Sequence, residues 1–222
     1  MRAFHFLSKS HALLALENQR LKVSTINELN DPFELLACDL GEQATRQGFR
    51  AWKNQTAKNT GLLCFSRDWK NPLLWSHYAD RHRGVALQFE LHGEVAVPVR
   101  YAKRRIRLDS TRIMANGGFS EDLAMKIATT KSEHWSYEEE IRVAVSLKDC
   151  DRDGQLYFER LSKAVRITGL VVGPLSKLTA ECVRSRLPRG HQIKVWWARQ
   201  AFTKFDIVRD KSKTTSVITS AT

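Results

Sequence analysis

The sequence predicts an α+β fold in which two packed, mainly antiparallel sheets carry helices on their flanks. Three observations lead there. Short apolar runs with two-residue alternation outnumber segments of helical spacing, and the chain opens as strand, helix, strand. The third is size: 222 residues, 42% hydrophobic and 27% charged, with ten Phe and six Trp, supply the core of one ordinary to large domain.

Taken in order, Phe4 to Leu7 reads as a short strand, followed by a helix over Ser10 to Asn18 with Leu13, Leu14 and Leu16 turned inward, and then the strand "LKVST". "NDPFE" carries the chemistry of a helix start: Asp31 as N-cap, Pro32 at the first helical position, and Glu34 three residues after the cap to complete a capping box. An amphipathic helix over 42–57 leads into the strand "GLLCFS", 61–66, and Asn71 with Pro72 opens the short helix "PLLWSHYAD". "GVALQFEL" and "VAVPVRYA" read as consecutive strands with a turn at His92 and Gly93, and Pro98 pushes the second toward a sheet edge. A helix over Glu121 to Glu133 precedes the strand "EIRVAVSL". Beyond the turn "DCDRDG" come "QLYFERL", the strand "VRITGLVVG", a helix opened by Pro174, and the strands "IKVWWA" and "FTKFDIVRD". The polar stretch from Lys211 predicts a frayed tail, so the domain is drawn as 1–210 with a flexible tail at 211–222.

Composition narrows the function. No apolar run approaches the roughly 20 residues of a spanning helix, so no membrane association is expected. Lys9, His11 and Glu17 interrupt the N-terminal apolar stretch, which speaks against a secretion signal and for the cytoplasm. Cys38, Cys64, Cys150 and Cys182 are scattered singly, without the paired spacing of a zinc site or redox loop, and read as reduced thiols. A net charge of +12 calls for an acidic partner, most often nucleic acid. The run "RYAKRRIR" gathers Arg100, Lys103, Arg104, Arg105 and Arg107 into a phosphate-attracting patch, and Arg81, Arg83, Lys204, Arg209, Lys211 and Lys213 continue the excess.

The densest chemistry lies in "WSYEEEIRV", 135–143. In an extended chain Glu138, Glu140 and Arg142 share one face while Ile141, Val143 and Val145 line the core. That polar face is either a solvated strand face on which Arg142 offsets Glu140, or one wall of a cleft. A second neighbourhood sets Ser66 at a strand end ahead of Trp75, His77 and Tyr78 on a helix, then His82 and Gly84. His77 and His82 stand five apart, whereas a metal pair on a helix prefers four, so no metal site is assigned. His5, between two phenylalanines, forms the third neighbourhood.

The ordered runs "LNDPFE", "CFS", "LLWSHYADRHRGVALQF" and "WSYEEEIR" together resemble a bacterial family of domains of unknown function, with hallmarks NDPFE, S-x-HYA-x-x-H-x-G and W-x-YE-x-E-x-R, over about residues 3–146. The layout of that family is in turn similar to the ADP-ribosyltransferase fold, whose members consume NAD and include toxins that modify nucleic acid or protein. The resemblance implies that Glu140 stabilises the cation developing on the NAD ribose and that Glu138 orients or deprotonates the acceptor. It further implies that His5 and Ser66 hold the nicotinamide ribose or amide. The resemblance also implies that Tyr78 stacks on the ring, with His77 beside it and Trp75 or Tyr137 as substitutes in stacking. The sequence departs from the best-known versions in lacking a full Ser-Thr-Ser strand and a second tyrosine at the usual distance from Tyr78. The expected function is that of a bacterial toxin or phage-defence effector, with nucleic acid as partner and an inhibitory protein as a second. Two alternatives stay open: a non-catalytic nucleic-acid-binding module using 100–107, and a metal-dependent nuclease built from His77, Asp80, His82 and Glu34.

Overall fold

The computed structural model describes residues 1–108 and 119–220. In its first half the chain forms β1 (Arg2–Leu7), α1 (Lys9–Asn18), β2 (Arg20–Thr25), α2 (Gln43–Asn59), β3 (Thr60–Ser66), α3 (Pro72–Tyr78), β4 (Val85–Leu91), β5 (Val97–Pro98) and β6 (Arg100–Ala102). The second half adds α4 (Glu121–Ala128), β7 (Thr130–Ser132), β8 (Glu140–Ser146), β9 (Asp151–Asp153), β10 (Leu156–Arg160), β11 (Val165–Val172), α5 (Ala180–Arg184), β12 (Gln192–Gln200), β13 (Ile207–Arg209) and β14 (Ser216–Thr219). Short 3₁₀ segments occupy Ile26–Glu28 and Glu133–Glu138.

The fold is α+β, with a mixed, mainly antiparallel multistranded sheet and a few helices. Among the described residues, hydrogen bonding joins twelve strands into one branched sheet and leaves β6 and β7 as a separate parallel pair, where the sequence led to the expectation of two packed sheets. The branch point is β3. On one side it pairs with β8 over its whole length, from Thr60↔Ser146 to Ser66↔Glu140. On the other side β2 takes its entry, at Gly61 and Leu62, while β1 takes its end, at Ser66. A fork therefore opens where β1 and β2 part. There the imidazole of His5 replaces a strand neighbour, its Nδ1 donating to the Cys64 carbonyl at 2.7 Å.

Alternation does the rest. Leu63 and Phe65 on β3, and Ile141 and Val143 on β8, enter a core shared with Leu87, Phe89, Leu170, Val172 and Val195. Cys64, Ser66, Glu140 and Arg142 accordingly point to the opposite face. Among the described residues no helix is long and apolar enough to cross a membrane.

Several local expectations need correction. α1 buries Ala12, Ala15 and Leu16 and leaves Leu14 48% exposed, because only the i, i+3, i+4 set fits one stripe. "NDPFE" is a turn and no helix follows: Leu35 adopts φ 57°, and the Glu34 carboxylate leaves the cap for a buried arginine. A capping box does form one turn earlier, between Thr25 and Glu28. α4 stops at Ala128, where Thr129 caps it, rather than running to Glu133. Pro174 opens a turn, and the next helix starts only after Thr179, whose hydroxyl accepts from the Cys182 amide. Pro98 lies on β5, which borders β8, in keeping with an edge position. The connection after α3 is unusual: Asp80, Arg81 and His82 have φ of 46°, 52° and 68°, a left-handed turn that costs about 1–2 kcal/mol per residue. It is held by backbone bonds from His82 to Trp75 and from Gly84 to Ala79, and a Cβ on Gly84 would lie 2.1 Å from the Leu7 carbonyl oxygen.

The polar C-terminus is the largest departure. The flexible tail expected at 211–222 instead contributes β14, which pairs antiparallel with β12 from Gln192↔Thr219 to Val195↔Ser216, and Ile218 is 1% exposed. The sequence signal is weak because just two apolar residues, Val217 and Ile218, mark the strand, while its energy comes from ladder bonds and one buried side chain. Residues 221 and 222 lie outside the described residues. Ile218→Ala is expected to lower stability by about 2–5 kcal/mol in urea unfolding, whereas a frayed tail would leave the midpoint unchanged.

Candidate functional site

The fork encloses a cavity of about 230 Å³. Phe4, His5 and Phe6 border it from β1, Cys64, Phe65 and Ser66 from β3, and Tyr78 from α3. Ser24, Glu28, Asn30 and Glu34 close one side, and Lys131, Glu138 and Glu140 form the far wall. The three sequence-distant neighbourhoods around positions 5, 78 and 140 thus meet. β1 contributes three consecutive residues because the cavity lies along the edge where it leaves β3, so alternation does not sort them.

The wall is an ion network. Arg142 holds Glu140 through both oxygens, Nε to Oε1 at 2.8 Å and Nη2 to Oε2 at 3.0 Å, and its Nη1 reaches Glu34 at 2.7 Å and the Ala128 carbonyl at 2.6 Å. Lys131 Nζ donates to Glu138 at 2.6 Å and to Glu140 at 3.2 Å, and stands 4.0 Å from Glu34. All five side chains are at most 6% exposed. Three carboxylates thus face two cations, and with every group charged the wall holds one negative charge in surplus. Burial works against the charge on Glu140, yet Arg142 and then Lys131 outweigh it and hold the carboxyl below its ordinary range. Burial likewise opposes the charge on Lys131 and on Arg142, and the surrounding carboxylates, Glu140 foremost, raise both above their usual values. Arg142 is therefore no solvated partner on an open strand face. It is the buried centre of the network, and it keeps Glu140 ionised and aimed.

Glu138 reaches the wall by a route that alternation did not describe. It ends the 3₁₀ segment, Glu139 takes a left-handed conformation at φ 43°, and the strand begins only at Glu140. Glu138 Oε1 accepts from the Tyr78 hydroxyl at 2.5 Å, and Asn30 Nδ2 donates to that hydroxyl at 2.9 Å. Burial first, then Glu138, push the Tyr78 hydroxyl well above its normal pKa, so it remains a donor. Ser66 donates its proton to the Asp68 carbonyl at 2.8 Å and accepts the Asp68 amide at 3.3 Å, which leaves one further lone pair of its oxygen as an acceptor. For His5, the bond to the Cys64 carbonyl requires the proton on Nδ1, and burial lowers the ring's pKa, so Nε2 is an accepting nitrogen on a ring that lines the cavity.

Two expected binding residues are elsewhere. Trp75 is fully buried, donates Nε1 to the Trp69 carbonyl at 2.5 Å and packs edge-on against Phe6, so it belongs to the core. His77 is exposed and does not line the cavity; it stands between the rings of Tyr78 and Tyr137, at 6.0 and 6.3 Å, in a row that Trp135 extends. The four residues of the nuclease alternative are likewise apart, since Glu34 is held by Arg142 and among the described residues no three His, Cys, Asp or Glu side chains gather as a metal site. The basic run is exposed at Arg100, Lys103, Arg104, Arg105 and Arg107. It leaves β6 directly, and Tyr101 of that strand accepts the Glu140 amide at 2.7 Å, its own hydroxyl pushed up to about 12, chiefly by burial. Arg105 lies 5.3 Å over the ring of Phe33, beside Glu34. Nothing in the sequence singles out Lys131, a lysine in a polar stretch, and Glu34 stands out there as a cap residue and a candidate metal ligand, not as the partner of an arginine.

Removing the central cation tests the network. Arg142→Met leaves Glu34 and Glu140 partly uncompensated and is expected to cost about 3–5 kcal/mol in chemical unfolding at neutral pH. The pH dependence has two limbs. The lowered pKa of Glu140 contributes stability present above 4.5 and lost as pH falls through its folded value, and the raised pKa of Lys131 contributes stability present below 10.5 and lost as pH rises through its folded value. Burial lowers the His5 pKa from 6.5 and raises the thiols of Cys38, Cys64 and Cys150 from 9.0, so urea midpoints are expected to be flat only between about 6.5 and 9, with Glu140→Gln flattening the part of the acid limb below 4.5.

Comparison of the chain with protein-family models, with curated proteins and with solved structures found no match in any of the three.

Proposed function

We propose that the chain is an NAD-consuming ADP-ribosyltransferase whose reaction takes place in the fork between β1 and β3. The observation that carries the reading is the charge of the cavity wall: three carboxylates against two cations, with Glu138 and Glu140 bordering the space. When the bond between nicotinamide nitrogen and ribose C1′ breaks, the electron pair leaves with nicotinamide and positive charge builds on the ribose. A surplus negative charge fixed beside that ring favours the transition state over the substrate. Glu140 suits the part of a fixed charge, since its lowered pKa makes it a poor base. Glu138, held by Tyr78 and Lys131, suits the other, taking the proton from the acceptor atom that attacks C1′.

Size and polarity fit one end of NAD. A cavity of about 230 Å³ is below the roughly 300–1,000 Å³ of pockets that enclose a whole ligand, so it accommodates nicotinamide with its ribose and leaves the phosphates and adenosine outside. The exposed cations from Lys103 to Arg107 begin two residues after Tyr101, on the strand that touches Glu140. Negative chamber and positive exterior match a ligand with a cationic ring and a polyanionic tail. The order of parts, with His5 on the first strand, Ser66 ending the middle one and E-x-E opening the late one, also supports an ADP-ribosyltransferase-like arrangement.

The non-catalytic reading keeps one observation in its favour, the exposure of all five cations from 100 to 107. The two readings part on nicotinamide release from NAD. Under the transferase reading the purified chain releases nicotinamide, Glu140→Gln slows release about 100-fold or more, and Glu138→Gln reduces transfer to an acceptor more than it reduces hydrolysis. Absence of release by the wild-type chain, with or without nucleic acid, would count decisively for a binding module.

A further inference from the structure

The antiparallel pair β12 and β13 ends in a six-residue turn, Ala201 to Asp206, in which Phe202 is 88% and Phe205 99% exposed. Large apolar side chains this bare are anomalous, and two within four residues form an apolar point on an otherwise charged surface. The turn is not loose. Asp206 donates its amide to the Lys204 carbonyl at 3.0 Å and accepts the Lys204 ammonium at 2.5 Å, while Ala201 donates to the Asp206 carbonyl at 2.9 Å. Both rings are therefore held outward by an ordered frame, which lowers the entropy lost when something covers them.

The charge around the turn says what would cover them. Residues 199–213 contain Arg199, Lys204, Arg209, Lys211 and Lys213 against Asp206 and Asp210. Both carboxylates are engaged locally, Asp206 by Lys204 and Asp210 by the amide and hydroxyl of Ser212. The Arg199 guanidinium stands 4.1 Å from the centre of the Phe202 ring, so one ring carries a cation in place while keeping most of its surface open. Flat apolar faces interleaved with cations are complementary to a polyanion that also offers flat apolar faces. Single-stranded nucleic acid is that chemistry: unpaired bases stack on aromatic rings while the phosphates meet Lys and Arg. A duplex keeps its bases stacked on one another and gives the rings nothing to cover them.

We infer that this turn is a docking point for single-stranded nucleic acid, with Phe202 and Phe205 as base-stacking platforms and Arg199, Lys211 and Lys213 as phosphate contacts. The turn lies apart from the cavity lining, yet its flank is tied toward the cavity side of the molecule. Ile207 donates its amide to the Lys70 carbonyl, and Ile207 and Ala198 pack in the cluster that holds Phe4, Leu74 and Tyr78. A strand held at the turn is thus presented on the flank that carries α3. The inference does not depend on the chemistry assigned to the cavity.

The test is fluorescence anisotropy of a labelled mixed-sequence oligonucleotide with the full chain, in the absence of NAD, so that the result stands apart from the transferase reading. Wild type is expected to bind the single strand in preference to the duplex of the same sequence. Phe202→Ala/Phe205→Ala should weaken binding by about tenfold or more, and Phe202→Trp/Phe205→Trp should retain it. Lys211→Glu/Lys213→Glu should make affinity fall less steeply with salt. Because both rings are almost wholly in solvent, the alanine variants are expected to unfold at the wild-type urea midpoint. Equal binding by wild type and the double alanine variant overturns the inference. So does equal affinity for duplex, and so does binding to vesicles of anionic phospholipid by a chain that ignores the oligonucleotide.

Discussion

Everything about the cavity depends on the clasp of Arg142 by Glu34 and Glu140, extended through Lys131 to Glu138. These side chains come from the turn after β2, from β7, from the end of a 3₁₀ segment and from β8, so one network fixes four segments against one another. Such a network is a poor source of net stability, because removing five charges from water costs nearly what their attraction returns. It is a strict source of geometry. Each oxygen of Glu138 and Glu140 has an assigned donor, and a displacement of any one segment strands a charge in a medium where an unpaired charge is costly.

The same network explains why the fold was readable while the site was read only in part. Strands such as β3, β4 and β11 declare themselves through runs of apolar residues, which is local information. Ile141 and Val143 fell on the core face because alternation along β8 is strict from Glu140 onward. Alternation places Glu138 on the wall for a reason that does not hold, since Glu138 precedes the strand; the left-handed Glu139 turns the chain so that both acids nonetheless meet. Glu34 shows the opposite case. Its spacing from Asp31 is a sound capping signature, and Asp31 does accept from the Phe33 amide at 2.9 Å, but a buried guanidinium 108 residues away outbids the local cap. Long-range partners leave no periodicity, which is also why Lys131 carries no sequence signal and why Trp75, three residues before Tyr78, reads as a site residue although it belongs to the core.

Charge is sorted by depth in this molecule. The chain carries a net +12, yet the cavity wall has the opposite sign. The chamber adds acceptors to that charge, in His5 Nε2, the Ser66 oxygen and the carboxylates, while the Tyr78 hydroxyl and the Lys131 ammonium are already committed to Glu138. A ligand entering it must bring its own donors or positive charge. The exterior, from Lys103 to Arg107 and again from Arg199 to Lys213, favours the reverse. Opposed preferences over a short path orient a ligand before any contact is made, because only one direction of entry lowers the energy at both ends.

The left-handed turn at Asp80, Arg81 and His82 has a consequence for how the chain tolerates change. Three strained residues in succession are held by bonds at both ends: His82 and Gly84 reach back to Trp75 and Ala79, while Leu175 and Gly173 donate to His82 and Gly84 from the far side. Such a hinge-less link has no slack, and a single added or deleted residue would rotate α3 and carry the Tyr78 hydroxyl away from Glu138. Glycine or asparagine would relieve strain there at constant length. Evolution can therefore edit the letters of this segment, but its residue count is fixed by the register it maintains.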